Sequence, residues 1–340
     1  MRISVLLLFF VASTVLAQED LTALSPKVVD APRKMLHAQL LNDCQTQFDA
    51  RRKTVEGLKT KAQIEQRQKE LRAKMIEALG VFPEKTPLKP TVVGTIEGTD
   101  YRIEKVIYES RPQHHITANL YVPNGKGPFP GILMPIGHST TGKTADYIQR
   151  GAAIFAKHGF VVLTYDPIGQ GERRQLLENG VAAISAGTAE HTLIGLGAIL
   201  VGEGTATYRI WDGIRSLDYL TSRPEVDPKK IGCTGCSGGG TMTSYLMALD
   251  DRIIAAAPSC FLTSLQRLFA TIGPQDAEQN ITGQVALGIE HADFIAMRAP
   301  KPTLILASTR DFFDIQGTWT TFREAKRLYT QLGYPERMDL

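Results

Sequence analysis

Leu71, Met75 and Leu79 recur four residues apart, as do Leu36, Leu40, Cys44 and Phe48. That spacing places each set on one stripe of a helix. The rest of Ala31 to Gly80 is rich in Gln, Lys, Arg and Glu, and Gly80 followed by Pro83 supplies a stop. The pattern predicts helices that lay one apolar stripe against a larger domain. After KTPLKP (85–90) the texture changes. TVVGTI (91–96), YRIEKVIY (101–108) and ITANLYV (116–122) are short, β-branched and aromatic, as antiparallel strands are. From Pro128 onward strand-like and helix-like runs alternate. GILMPI (131–136), FVVLTYD (160–166), KIGCTG (230–235), RIIAAAPS (252–259) and PTLILAS (302–308) read as strands. TADYIQRGAAIFAKHG (144–159), TATYRIWDGIRSLDYLTSR (205–223) and SGGGTMTSYLMALD (237–250) read as helices. Such alternation predicts an α/β fold, with a mostly parallel sheet and helices on both faces. Residues 172–206 break the alternation. An insertion there would lie over the carboxyl ends of the strands, where such sheets bind ligands.

The first residues alter the organisation. Arg2, an apolar run from Ile3 to Ala12, and Val15-Leu16-Ala17 form the pattern of a secretory signal peptide cut before Gln18. The expected segments are a signal peptide (1–17), a helical extension (18–90) and an α/β domain (91–340). The protein is then secreted or periplasmic, with no membrane span after cleavage. Losing Arg2 lowers the net charge from +3 to +2, which leaves no electrostatic footprint for nucleic acid.

Two motifs compete for the chemistry. GHSTTGKT (137–144) spells the phosphate loop G-x-x-x-x-G-K-T, and DPIGQGE (166–172) looks like a GTPase switch. A phosphate loop belongs to the first strand of its domain, and here at least three strands precede it. No Asn is followed by Lys, so a guanine-reading motif is absent from the sequence. No nucleotide partner is expected. The second motif is GCSGG (235–239), which fits G-x-S-x-G between a strand and a helix. There Gly235 and Gly239 permit a turn too tight for side chains, and Ser237 projects its hydroxyl at a helix N-terminus. The Gly238 N–H can then face a developing oxyanion.

Gly169-Gln170-Gly171, then GCSGG, then a strand with a downstream Asp resemble the α/β-hydrolase superfamily over residues 95–340. More narrowly the chain is similar to the acetyl xylan esterase and cephalosporin-C deacetylase group. That group carries Arg-Gly-Gln followed by Gly-x-Ser-Gln-Gly-Gly. The elbow also resembles that of glucuronoyl esterases. Ile168 stands where the deacetylases have Arg, and Gly238 where they have Gln. The resemblance implies that Ser237 attacks a carboxylic ester, the substrates being small-molecule or polysaccharide esters, without cofactor or metal. It assigns His138 and Ser139, after the third strand of the fold, to the oxyanion loop. A prolyl-oligopeptidase-like peptidase and a non-catalytic hydrolase-fold binding protein are the alternatives.

The orienting acid should follow the strand PTLILAS. Asp311 is nearest its end and Asp314 is the runner-up. The base should be a histidine after the acid. The seven histidines, at 37, 114, 115, 138, 158, 191 and 291, all precede Asp311. The expectation is that the last strand and the histidine loop lie beyond Leu340, with His191 and His291 as substitutes. Cys236 and Cys260 are expected to reach one another across neighbouring strand ends as a disulfide.

Overall fold

The computed structural model describes residues 30–271 and 275–340, with side chains from residue 34 onward. The expected signal peptide lies outside the described residues. The chain divides into two compact units, residues 1–43 and 44–340. Helix α1 (Asp30–Glu56) is followed by α2 (Lys61–Leu79), which Thr60 and Gln63 start with a reciprocal capping box. Strands β1 (Thr91–Glu97), β2 (Tyr101–Arg111) and β3 (His114–Pro123) form an antiparallel meander. Then come β4 (Phe129–Leu133), α3 (Asp146–Lys157) and β5 (Val161–Tyr165). The insertion holds a small hairpin, β6 (Leu177–Glu178) with β7 (Val181–Ala182), and helix α4 (Thr188–Leu200). The chain continues through α5 (Thr205–Ser222), β8 (Val226–Cys236), α6 (Gly238–Leu249) and β9 (Ile253–Ser259). It ends with α7 (Leu265–Thr271), α8 (His291–Ala296), β10 (Thr303–Leu304), α9 (Ile315–Leu332) and β11 (Met338–Asp339).

Among the described residues the main sheet has nine strands in the order β1-β2-β3-β5-β4-β8-β9-β10-β11. From β5 to β11 all neighbours are parallel. The last strand is therefore present, as a two-residue edge strand beside β10, and not missing as the sequence suggested. Side chains alternate across the sheet as the pleat requires. On β5, Val161, Leu163 and Tyr165 join one core and Val162 the other.

Right-handed crossovers decide which face each helix covers. The step from β4 to β5 runs one way along the sheet, and α3 covers that face with Ile148, Ala152 and Ala156. Every later step, from β5 through β8, β9 and β10 to β11, runs the other way. Accordingly α5, α6, α8 and α9 all bury apolar residues in the opposite core. Helices do lie on both faces, but unequally. Over β8–β10 the α3 face keeps Ile254, Leu304 and Leu306 exposed, around an open apolar hollow of about 720 Å³.

The α2 stripe behaves as its spacing predicts. Ile64, Leu71, Met75 and Leu79 are buried in the main core, so packing does not break near residue 90 where the sequence texture changes. Within the larger unit, Arg51 and Arg67 converge on the buried carboxylate of Asp293 at 2.6 and 3.1 Å. Replacing Leu71, which has no exposed surface, by Ala should remove about 2–5 kcal/mol of unfolding free energy in a denaturant titration. A loss under 1 kcal/mol, on the scale of surface substitutions, would mean that α2 is an appendage.

Candidate active site

Ser237 sits between β8 and α6 with φ 56° and ψ −123°, a conformation L-residues rarely hold. Its neighbours leave the backbone little alternative. A β-carbon at 235 or at 239 would stand 2.3 Å from the carbonyl oxygen of Pro135, and one at 240 would stand 2.1 Å from that of Ser259. The Ser237 N–H donates to Ser259 O at 2.9 Å, and Ser237 O accepts from Thr241 N at 2.9 Å. The turn is thus wedged between the ends of β4 and β9. It opens a twelve-residue helix whose first N–H is that of Gly238. Ser237 is half-buried, and its hydroxyl makes no hydrogen bond among the described residues.

The loop after β4 packs directly on this turn. A β-carbon at Gly137 would approach Cys236 O to 2.6 Å and Gly238 N to 3.2 Å. The Gly169-Gln170-Gly171 turn braces the loop from behind. Gly169 and Gly171 take φ of 77° and 54°, and the fully buried Gln170 donates its amide to Gly137 O at 2.9 Å. In a trans peptide the carbonyl and the following N–H point opposite ways. Pinning Gly137 O on Gln170 therefore turns the His138 N–H away from Gln170. Ser139 continues the same loop as a half-buried residue, with its hydroxyl 3.2 Å from that of Thr141.

The phosphate-loop spelling has another occupant. Lys143 is buried, and its ammonium pairs with Asp166 at 2.6 Å and also with Glu172. Asp166 takes the Lys143 N–H at 2.7 Å and the Thr117 hydroxyl at 2.7 Å. A β-carbon at Gly142 would lie 2.0 Å from Asp166 Oδ1. The concavity that the glycine opens is filled by this protein's own carboxylate.

The two acid candidates separate clearly. Asp314 caps α9 through Gly317 N at 2.9 Å and takes both Arg267 nitrogens, at 2.9 and 3.0 Å. That arginine holds the Asp314 carboxyl below its usual range. Asp311 is half-buried and accepts from Phe313 N at 3.2 Å. It stands beside Cys260, whose thiol is pushed up to about 12 by burial first, the Asp311 charge adding to it. Ser237, Cys260 and Asp311 thus follow the carboxyl ends of β8, β9 and β10 in order.

The substitute histidines fare differently from expectation. His291 is buried between Phe261 and Phe294 and accepts the Thr263 N–H on Nδ1; burial drops its pKa to about 3. His191 is fully buried with both ring nitrogens engaged, one by Ile168 O and one by Asp276, each at 2.8 Å. His191 therefore has no free nitrogen to offer Ser237. The expected Cys236–Cys260 disulfide is also absent; both thiols are free. Cys260 has φ 52°, so its own backbone is turned at the strand end.

Sequence reasoning missed the groups that surround the oxyanion loop. His138 Nε2 lies 2.7 Å from Asp276 Oδ2, the same oxygen that His191 approaches. Glu278, with no exposed surface, faces both rings and pairs with Arg209. Burial lowers the Arg209 guanidinium to about 10. These four residues of the loop, α4 and the 276–278 turn could hold a metal ion. No spacing in the sequence ties residue 138 to 191, 276 and 278.

Comparison with known proteins identifies the family and the fold. The sequence model of the acetyl xylan esterase (AXE1) family matches residues 75–283. YtaP of Bacillus subtilis (strain 168) is 26% identical over 257 residues, covering 71% of this chain and 81% of that one. Methylesterase BT1017 superposes with a TM-score of 0.71 at 25% identity, over 88% of this chain. This chain spans 62% of that methylesterase's length. A glucuronoyl esterase from Solibacter usitatus shares the fold, with a TM-score of 0.55, 17% identity and coverage of 78% and 80%.

If Lys143 is a buried ion-pair partner and not a phosphate ligand, Lys143→Ala should cost about 3–5 kcal/mol of stability, because it strands Asp166. Magnesium ATP and GTP should leave the melting temperature of the unaltered protein unchanged. A nucleotide-dependent rise in that temperature would restore the phosphate-loop reading.

Proposed function

Because the chain belongs to the acetyl xylan esterase family, we propose that it cleaves carbohydrate esters through an acyl-enzyme formed on Ser237. The observation that carries this reading is the φ 56° turn at Ser237, closed on both sides by glycine-only contacts and faced by the Gly137 loop. The Ser237 hydroxyl attacks the ester carbonyl carbon and gives its proton to a base. The carbonyl oxygen becomes an oxyanion, held by the N–H groups of Gly238 and His138. Collapse expels the alcohol, which takes the proton from the base. Water then repeats the sequence on the acyl-enzyme and releases the carboxylic acid.

Asp311 is the orienting acid in this reading, since Asp314 is spent on Arg267 and the α9 cap. The base in this reading is a histidine, the residue type that the Ser, acid, His order of such enzymes calls for. Gln170 acts as a positioning residue through Gly137 O. The export signal read in residues 1–17 suits a substrate outside the cell, such as acetylated xylan.

In the full-length protein, Ser237→Ala should lower p-nitrophenyl acetate hydrolysis by at least about 10³-fold and abolish labelling by a fluorophosphonate. Gln170→Ala should lower kcat about 10-fold or more with little change in KM, because it loosens a transition-state donor and not a substrate contact. Acetate release from acetylated xylan, without cleavage of a dipeptide p-nitroanilide, separates this reading from a peptidase. Absence of labelling at Ser237 in the folded full-length protein would favour a binding protein on the same scaffold.

A further inference from the structure

We propose that His138 Nε2, His191 Nδ1, Asp276 Oδ2 and a Glu278 carboxylate oxygen form a site for one divalent transition-metal ion of the zinc class. The chain of reasoning starts at His191. Its Nε2 lies 2.8 Å from the carbonyl oxygen of Ile168, which can only accept, so Nε2 carries the proton. In the neutral ring Nδ1 then carries a lone pair. That lone pair points at Asp276 Oδ2, 2.8 Å away, and Glu278 Oε2 stands 3.3 Å from the same nitrogen. A nitrogen lone pair and two carboxylates that converge in this way are met either by a shared proton or by a metal ion, and the two can be told apart by experiment.

The remaining groups complete a ligand set. His138 Nε2 is 2.7 Å from Asp276 Oδ2 and 3.4 Å from Glu278 Oε1. All four ligand atoms lie within 4.8 Å of one another. Ligands about 2.0–2.1 Å from a tetrahedral zinc ion stand about 3.3 Å apart, which these spacings bracket. The supporting contacts match what such ions require. The Ile168 carbonyl fixes the tautomer and plane of His191, as carbonyls do behind metal-bound imidazoles. Ala277 N donates to Asp276 Oδ1 at 2.7 Å and leaves Oδ2 to face the rings. Arg209 stands against Glu278 as its ion-pair partner, and both Glu278 oxygens are buried with no hydrogen-bond partner among the described residues. Two imidazoles with two carboxylates suit zinc or cobalt(II) better than magnesium or calcium.

The ion would act by position and not on the ester. It would join His138 of the oxyanion loop to α4 and to the 276–278 turn, so that the donor loop, the insertion and the elbow's neighbour hold one geometry. A β-carbon on Gly238 would stand 2.5 Å from Glu278 Oε1, so the site borders the elbow itself.

The test reads metal binding and needs no ester hydrolysis, so it stands apart from the esterase assignment. Full-length protein stripped with dipicolinate is titrated with zinc chloride against a chromophoric chelator at neutral pH, and separately with cobalt chloride. The expected result is one equivalent bound, and intense visible d–d absorption of tetrahedral cobalt(II). Asp276→Asn and His191→Gln should weaken zinc binding by about 100-fold or more, whereas His291→Gln, a buried histidine elsewhere, should not. Circular dichroism of each variant separates lost ligation from lost fold. Folded unaltered protein that takes up no stoichiometric zinc or cobalt, or undiminished binding by folded Asp276→Asn, would overturn the proposal; a proton shared between His191 and Asp276 is then what the cluster holds.

Discussion

The carbonyl oxygen of Pro135 lies where the side chains of residues 235 and 239 would begin, 2.3 Å from either β-carbon. This one close approach organises the site. It demands glycine at both positions, brings the end of β4 against the elbow, and sets the Gly137 loop over the first N–H of α6. From the other side Ser259 O, at the end of β9, excludes a side chain at 240 and accepts the Ser237 N–H. A serine at φ 56° stores on the order of 1–3 kcal/mol of backbone strain, and persists only where its surroundings over-determine it. Here two neighbouring parallel strands do so. The strained turn is therefore a property of the sheet's close packing, and not of the five residues that spell it.

The same packing explains why a phosphate-loop spelling arises in a protein built for other chemistry. Both architectures place a glycine turn after a parallel strand and carry a lysine toward the end of the next strand over. In a nucleotide hydrolase the space beneath the glycine receives a phosphate. Here Asp166, at the end of β5, reaches into it and collects the Lys143 ammonium, the Lys143 N–H and the Thr117 hydroxyl. The anion is internal. Gly142 and Gly171 both approach that carboxylate, at 2.0 and 2.3 Å for their β-carbons, which accounts for glycine at each end of the two loops. One carboxylate thereby locks the loop after β4 to the Gly169-Gln170-Gly171 turn.

What was legible in the sequence follows from the range of the forces involved. The α2 stripe, the antiparallel meander, the strand–helix alternation and the elbow are local patterns, and their periods or turn residues state them directly. Helix α4 was not legible. Its sequence, TAEHTLIGLGAIL, carries two glycines and exposes Leu193, Leu196 and Ile199. It is held by polar contacts instead: Arg174 with Glu190, and His191 with Ile168 O. The role of His138 was half legible. Its loop was placed by the order of elements, but its partners come from residues 53 and 138 positions further along, joined only in the folded state. The histidines proposed as substitutes illustrate the limit. Nothing local distinguishes His191, in a charged cluster, from His291, which burial among aromatic rings keeps neutral.

Around the elbow the chain runs in loops, and loops bury carbonyls that no helix or ladder satisfies. The structure meets that demand with side chains. Arg173 donates to Asp166 O, Arg209 to Ile136 O, Gln170 to Gly137 O, Arg174 to Ile184 O and His191 to Ile168 O. Three of these five donors are arginines, and each of the three has a buried acid beside it: Asp212 for Arg173, Glu278 for Arg209 and Glu190 for Arg174. Buried ion pairs add little net stability against an apolar alternative, but losing one partner is costly. Their value here is geometric. A guanidinium that must meet both a carboxylate and a specific carbonyl allows a loop one register, where apolar contacts would allow several. In the proposed mechanism the oxyanion donors would need that single register, because a donor misplaced by an ångström no longer meets the charge that develops in the transition state. The polar belt is thus the means by which irregular backbone acquires the rigidity that the sheet gives to Ser237.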